Sequence, residues 1–243
     1  MMGQGKSHMM LSKIATVFCC LFLLGTGQAE VVKVGGYNFP PFVDRDGKSG
    51  MVYDLINKLN QSQSKYKFVF SLTSANRRYR DLKSGKIDVI FFEDEAWSWN
   101  QDKVPHLKTG VILTGGEIYV SLLKPGRDQK FFDSFEGKKI RGIFGYHYNF
   151  ANMKTDPEVL RKKGISLGQD NEENLKDLMN DKVDIIVINS FMMDSLLKKD
   201  KTLSGKLLIS TKKDQNYQLR ILLNERSPIS SAEIEKLVVP HLK

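Results

Sequence analysis

The chain has 243 residues with 37 Lys or Arg against 28 Asp or Glu, a formal charge of +9. That length supports one large domain or two small ones with a sizeable core, and two cysteines are too few for a disulfide scaffold. The basic balance favours anionic surroundings but selects no ligand, and no aromatic-plus-basic motif of the nucleic-acid-binding kind accompanies it.

The front of the chain reads as an address. A polar lead runs from Met1 to His8, and Met9 and Met10 are alternative starts. Lys13 precedes an apolar run from Ile14 to Leu24, and small residues follow up to Gly27-Gln28-Ala29. This is the pattern of a secretory signal peptide, residues 1–29, cleaved before Glu30. The run is too short to span a bilayer, which takes about 20 residues. Val17-Phe18 ahead of Cys19-Cys20 is a poor match to a lipid-attachment site. Cleavage removes Lys6 and Lys13, so the mature charge is +7, and it removes both cysteines. The mature protein is expected to be periplasmic and held together by its core alone.

The stretch from Val31 to Leu59 organises the rest of the chain. Val31, Val32 and Val34 make a β-branched strand. It runs into Gly35-Gly36, the aromatics Tyr37 and Phe39, and Pro40-Pro41-Phe42. Asp44 to Gly50 suits a turn, and Val52, Leu55, Ile56 and Leu59 recur at helical spacing. A strand therefore delivers an aromatic, proline-stiffened loop to a sheet edge, where open α/β sheets bind ligands. A second strand is expected over 67–72, a basic helix from Arg77 to Lys83, and a buried strand from Ile87 to Phe92. Beyond that strand end stand Glu93, Asp94 and Glu95, with Trp97 and Trp99. A loop with two half-buried indoles and one wall of a ligand cleft are equally good readings of that segment. Arg77 and Arg78 read as a solvated helix face sooner than as cleft residues.

Val111 to Leu123 is an extended run interrupted by Gly115-Gly116, and Lys124-Pro125-Gly126 ends it. A second α/β pattern then begins: a strand over 138–144 leading to Tyr146, His147 and Tyr148, a helix from Asn171 to Met179, a strand over 182–189 and a helix from Phe191 to Leu197. The halves rhyme, since Gly85-Lys86-Ile87-Asp88 and Asp181-Lys182-Val183-Asp184 each join a helix to an apolar strand. Asp88 and Asp184 lie at strand starts, away from any cleft, and read as structural. The tail holds a strand over 217–223 and a helix within 229–242 that Ser230 or Ser231 caps.

Together these pieces resemble the family 3 solute-binding proteins of bacterial ABC transporters, the polar amino-acid-binding type. The resemblance spans the mature chain. It rests on Val32-Lys-Val-Gly35 with Pro40-Pro41-Phe42, on Gly50 with Asp54-Leu55, on Leu82 with Gly85-Lys86-Ile87-Asp88, on Phe135-Glu-Gly-Lys-Lys-Ile140 with Gly145, and on Leu178 with Val183-Asp184. It implies an α/β, two-lobed periplasmic-binding-protein fold, each lobe a mixed, mostly parallel sheet flanked by helices, joined by two crossing strands. Lobe 1 would be 31–118 plus 213–243, and lobe 2 would be 119–212. It further implies lobes that hinge shut around a ligand, near 115–120 and 208–216, and present the closed form to a membrane permease or sensor protein, with the protein itself a monomer.

The departures bear on the ligand. The family's carboxylate-gripping arginine is missing from Glu95-Ala-Trp-Ser-Trp-Asn100, and the acid that receives the ammonium is replaced by Asn189. An ordinary L-α-amino acid is therefore not the expected ligand. The expected ligand-binding residues are Tyr37, Phe39, Glu93, Trp97, Trp99, Tyr146, His147, Tyr148 and Asn189, an aromatic and acidic pocket suited to a cationic or amide-bearing molecule. No catalytic residue, metal or cofactor is expected. Two alternatives stand beside transport: a sensory or orphan ligand-binding module acting with a membrane receptor, and a dehydratase-like enzyme on the same scaffold using Glu93 or Glu95 with His147.

Overall fold

The computed structural model describes residues 28–242, so the expected leader lies outside the described residues except for Gln28 and Ala29. In chain order the elements are β1 (Glu30–Gly36), α1 (Met51–Ser62), β2 (Tyr66–Leu72), α2 (Arg78–Lys83), β3 (Val89–Glu93), β4 (Leu107–Lys108) and β5 (Leu113–Leu122). After these come β6 (Ile140–Ile143), α3 (Pro157–Lys162), β7 (Ile165–Gly168), α4 (Asn171–Met179), β8 (Ile185–Asn189), α5 (Ser190–Lys199), β9 (Leu207–Leu223) and α6 (Ser231–Val238).

The strands run in the order β2-β1-β3-β9-β5-β8-β6-β7, with β4 beside β9. Lobe one is the parallel trio β2, β1 and β3, closed by the antiparallel end of β9. Its core forms where α1 lays Val52, Leu55, Ile56 and Leu59 against the sheet. Lobe two repeats the plan with parallel β7, β6 and β8, and apolar clusters fill both faces of its sheet. The two lobes, joined by two long crossing strands, make an α/β periplasmic-binding-protein fold.

The rhyme in the sequence is a structural repeat. Asp88 accepts from the Lys33 amide at 2.8 Å, and Asp184 accepts from the Lys139 amide at 2.8 Å. Each aspartate amide in turn donates to the same lysine's carbonyl, again at 2.8 Å. One carboxylate in each lobe thus pins the start of one strand to its neighbour.

The crossing strands differ from their sequence reading. Gly115-Gly116 does not interrupt β5, which pairs with β9 from Leu113↔Leu219 to Leu122↔Leu207. The glycines are there for close approach: a Cβ on Gly115 would lie 2.3 Å from the Phe191 ring, and one on Gly116 would lie 2.4 Å from the Gln215 carbonyl oxygen. The tail strand begins at Leu207 rather than Tyr217, because pairing with β5 holds a charged stretch extended that has no apolar alternation of its own. α3 and β7 carry no expectation from the sequence; Asp156 caps α3 by accepting from Glu158 and Val159 amides.

An interlobe aromatic cleft as candidate functional site

The site is built around Phe39. The loop after β1 turns back on itself, with Phe39 and Val43 exchanging backbone hydrogen bonds at 3.0 and 3.1 Å, so the Phe39 ring points between the lobes. It stacks on Tyr37 at 5.8 Å and meets Trp97 edge-on at 5.5 Å, both from lobe one. From the other side it meets Tyr146 of lobe two at 5.7 Å and Tyr217 of β9 at 6.4 Å. Aromatic pairs of this kind add about 0.5–1.5 kcal/mol each beyond their burial, so the hub ties both lobes to a crossing strand.

Polar bonds also bridge the lobes. Tyr146 Oη donates to the Asn38 carbonyl at 2.7 Å, Asn38 Nδ2 to the Gln169 carbonyl at 3.0 Å, and Asn189 Nδ2 to the Pro40 carbonyl at 2.8 Å. His147 Nε2 lies 2.9 Å from Ser98 Oγ, and Arg45 pairs with Asp170 across the mouth. Gln215 joins both sides, accepting from Trp97 Nε1 at 3.0 Å and donating to the His147 carbonyl at 2.6 Å. The cavity left inside is about 20 Å³, the room of roughly one water molecule.

Of the nine residues singled out from sequence, Tyr37, Phe39, Trp97, Tyr146 and His147 line this cavity. The other four stand behind it. Glu93 is fully buried and accepts from Arg78 Nε at 3.0 Å and Trp99 Nε1 at 2.7 Å. Trp99 is wholly enclosed beneath, against Tyr79 at 4.7 Å. Tyr148 belongs to the lobe-two core, its hydroxyl accepting from the Ile143 amide at 2.6 Å. Asn189 caps α5, accepting from the Met192 amide at 2.8 Å. The pairing of Glu93 or Glu95 with His147 is not assembled: Glu95 spends its carboxylate on Lys108 at 2.9 Å, with His106 and Arg220 alongside.

Glu117, Gln215 and Tyr217 line the cavity without having been singled out, and Arg78 lines it against its preferred reading as a solvated helix face. Arg77 is exposed, as a solvated helix face would be, but Arg78 is 1% exposed. Its guanidinium lies 4.9 Å from the Tyr37 ring centre and 4.3 Å from that of Tyr79, a stacked cation. Glu117 carried a signal in the sequence, the one charge within an otherwise uncharged strand, where an ionisable group is rarely buried without cause. Gln215 and Tyr217 carried none: Gln215 lies in a charged stretch without strand alternation, and Tyr217 reads as the first residue of an ordinary strand.

Electrostatics separate the buried acids. Burial raises the Glu93 carboxyl above its ordinary value, opposed by the Arg78 charge and the Trp99 donor. Burial pushes Glu117 up to about 8, with the Tyr217 hydroxyl opposing it and Asp214 adding to it. Burial, helped by Arg78, pulls the His147 imidazole down to about 3, so it is neutral. His147 is 7% exposed and bridges the lobes. Glu93 Oε1 and Glu117 Oε2 are buried without a hydrogen-bond partner.

No family model matches the chain, and no curated protein matches it. Solved structures do. An arginine-bound, truncated ArgBP from T. maritima matches with 17% identity over 87% of this chain and 94% of that one, at a TM-score of 0.59. The substrate-binding protein of an ABC uptake transporter from Streptococcus pneumoniae, with bound histidine, matches with 17% identity over 86% and 84%, at 0.62. The GluR0 ligand-binding core from Nostoc punctiforme, in complex with L-glutamate, matches with 19% identity over 87% and 92%, at 0.59. The fold of this chain is the fold of these solute-binding proteins and receptor cores.

Proposed function

We propose that this chain is a periplasmic solute-binding protein, not an enzyme: its lobes open and close about β5 and β9 around a small polar ligand and offer the closed form to a membrane transporter. One observation carries the reading. The cavity is lined by both lobes and by the crossing strands that join them, so a ligand held there touches every part that a hinge would move. The expected leader and the substrate-binding neighbours support export and delivery.

Those neighbours hold arginine, histidine or glutamate, yet an ordinary L-α-amino acid does not suit this cleft. Arg78 is the guanidinium in the wall, and it is committed to Glu93. Asn189, an amide, is committed to Met192 and Pro40. A zwitterion would find neither of its usual partners free. A second reading, a sensory module read by a membrane receptor, is favoured by one feature: the protein's own groups bridge the lobes directly, so the closed face forms from protein contacts alone.

The test is a thermal-shift screen of refolded mature protein against amino acids, polyamines, quaternary amines, small peptides and organic acids. A ligand at 100 times its dissociation constant adds about 2.7 kcal/mol. A hit outside the amino acids is the expected result. A hit among ordinary amino acids contradicts the ligand reading, and a panel-wide blank contradicts small-molecule binding by this cleft.

A further inference from the structure

Glu117 is 2% exposed and sits on a crossing strand between the lobes. Its Oε1 accepts from the Tyr217 hydroxyl, and its Oε2 has no partner. The same cavity is walled by the rings of Tyr37, Phe39, Trp97, Tyr146 and Tyr217. An open carboxyl oxygen among aromatic faces is the arrangement that holds an organic cation, the rings attracting the charge and the acid pairing with it.

The other charged groups leave this role to Glu117. Arg78 spends its charge on Glu93 at 3.0 Å. His147 is bonded to Ser98 and neutral. Asp214 is occupied by the Tyr119 hydroxyl at 2.6 Å and the Asn149 and Phe150 amides at 2.7 and 2.9 Å. An anion entering the cavity would meet a guanidinium already neutralised and an open carboxyl oxygen.

We propose that Glu117 is the recognition group of the cleft, taking the charged nitrogen of a small organic cation, an alkylammonium or a guanidinium. The proposal rests on the ligand-binding reading and names the class of its ligand. Binding is a proton exchange: the Glu117 carboxylic acid gives its proton to solvent, and the resulting carboxylate pairs with the incoming cation. The groups that face Glu117 are Tyr217 and Asp214 of β9, Tyr119 of its own strand, and Tyr146 and Tyr148 of the loop after β6. The four tyrosines are held above their ordinary values, so Glu117 is the one of these that gives up a proton at neutral pH. The cavity is smaller than any such cation, so entry goes with opening of the lobes.

Calorimetric titration of the mature protein with methylguanidinium, propylammonium and tetramethylammonium, with propionate and propanol as anionic and neutral probes, tests this. Run in two buffers of different ionisation heat, it also counts protons. At least one cation binds, releasing close to one proton at pH 6.5. Its affinity rises about 50-fold from pH 6 to pH 8, as an acid titrating near 8 requires. Glu117→Gln abolishes the proton release and weakens binding tenfold or more. Should that variant not fold, Tyr217→Phe removes the donor that favours the carboxylate and moves the proton release to higher pH. Equal cation binding by Glu117→Gln, an unmoved proton profile in Tyr217→Phe, or no proton released at pH 6.5 overturns the proposal. Binding of propionate or propanol with no cation overturns it and leaves the ligand-binding reading standing; no binding by any probe here or in the wider screen removes both.

Discussion

Arg78 and Glu93 are a buried ion pair whose side chains are 2% and 0% exposed. Such a pair contributes little net stability, but breaking it leaves an uncompensated charge in a low-dielectric interior. Glu93→Ala is therefore expected to cost about 3–5 kcal/mol in urea unfolding, and Arg78→Met with Glu93→Met much less. Equal losses from the single and double variants would contradict the assignment. The Glu117 and His147 titrations give opposite slopes. The Glu117 carboxyl is raised from 4.5 to about 8, so the folded state holds a proton that the unfolded state has lost, and stability falls as pH rises between those values. The His147 imidazole is lowered from 6.5 to about 3, so stability falls as pH drops between those values. Above pH 6.5 the His147 effect is complete, and Glu117 and the likewise raised Glu93 carboxyl remain. Wild type should lose stability from pH 6.5 to 8, and Glu117→Gln should lose clearly less; parallel curves would show that Glu117 is not the group responsible. At this scale the sequence announced aromatics and acids near strand ends. It did not reveal which acid meets the cavity, because Phe92 at φ 60° and the register shift between Ile90 and Glu93 leave Glu93 paired with Arg78 behind the cavity wall, and no periodicity encodes a bulge.

Elements from the two lobes meet at places where small residues or caps permit it. A Cβ on Gly116 would meet the Gln215 backbone oxygen at 2.4 Å, closer than the flexible Lys213 side chain at 2.9 Å, so Gly116→Val forces β5 and β9 apart and should lower stability by about 1–3 kcal/mol. Scanning calorimetry checks this, and an unchanged melting temperature would mean the strands accommodate a side chain there. Asp214 holds the loop bearing Tyr146 and His147 by accepting from the Asn149 and Phe150 amides. Asp214→Ala should loosen that loop and expose Trp97, which its partner Gln215 helps to seat; a red shift in tryptophan emission is the expected signal. Apart from α3 and β7, helices and parallel strands were legible because apolar residues recur at their periods: α4 runs from Asn171 to Met179, as its spacing predicts. The first ten residues of β9 have no such period and were reached only through the resemblance, because Lys212, Lys213 and Asp214 owe their extended form to a partner nearly a hundred residues away.

At the scale of the molecule, the lobe repeat was legible in two short segments, Lys86-Ile87-Asp88 and Lys182-Val183-Asp184, because each lobe uses the same carboxylate clamp. The aromatic hub between the lobes was not, since it depends on side chains from four separate stretches meeting at Phe39. The central claim is that β5 and β9 are a hinge and that the cleft closes on a ligand. The mature sequence has no cysteine once residues 1–29 are removed, so spin labels can be placed at Lys48 and Lys199, exposed positions on opposite sides of the cleft mouth. The interlabel distance distribution, measured by pulsed dipolar spectroscopy with and without a ligand found by the screen, tests the claim most directly. The account predicts a broad or longer distance without ligand that collapses to the short distance of this closed structure when ligand is added. A single unchanging distance, in the presence of a ligand shown to bind, would contradict it.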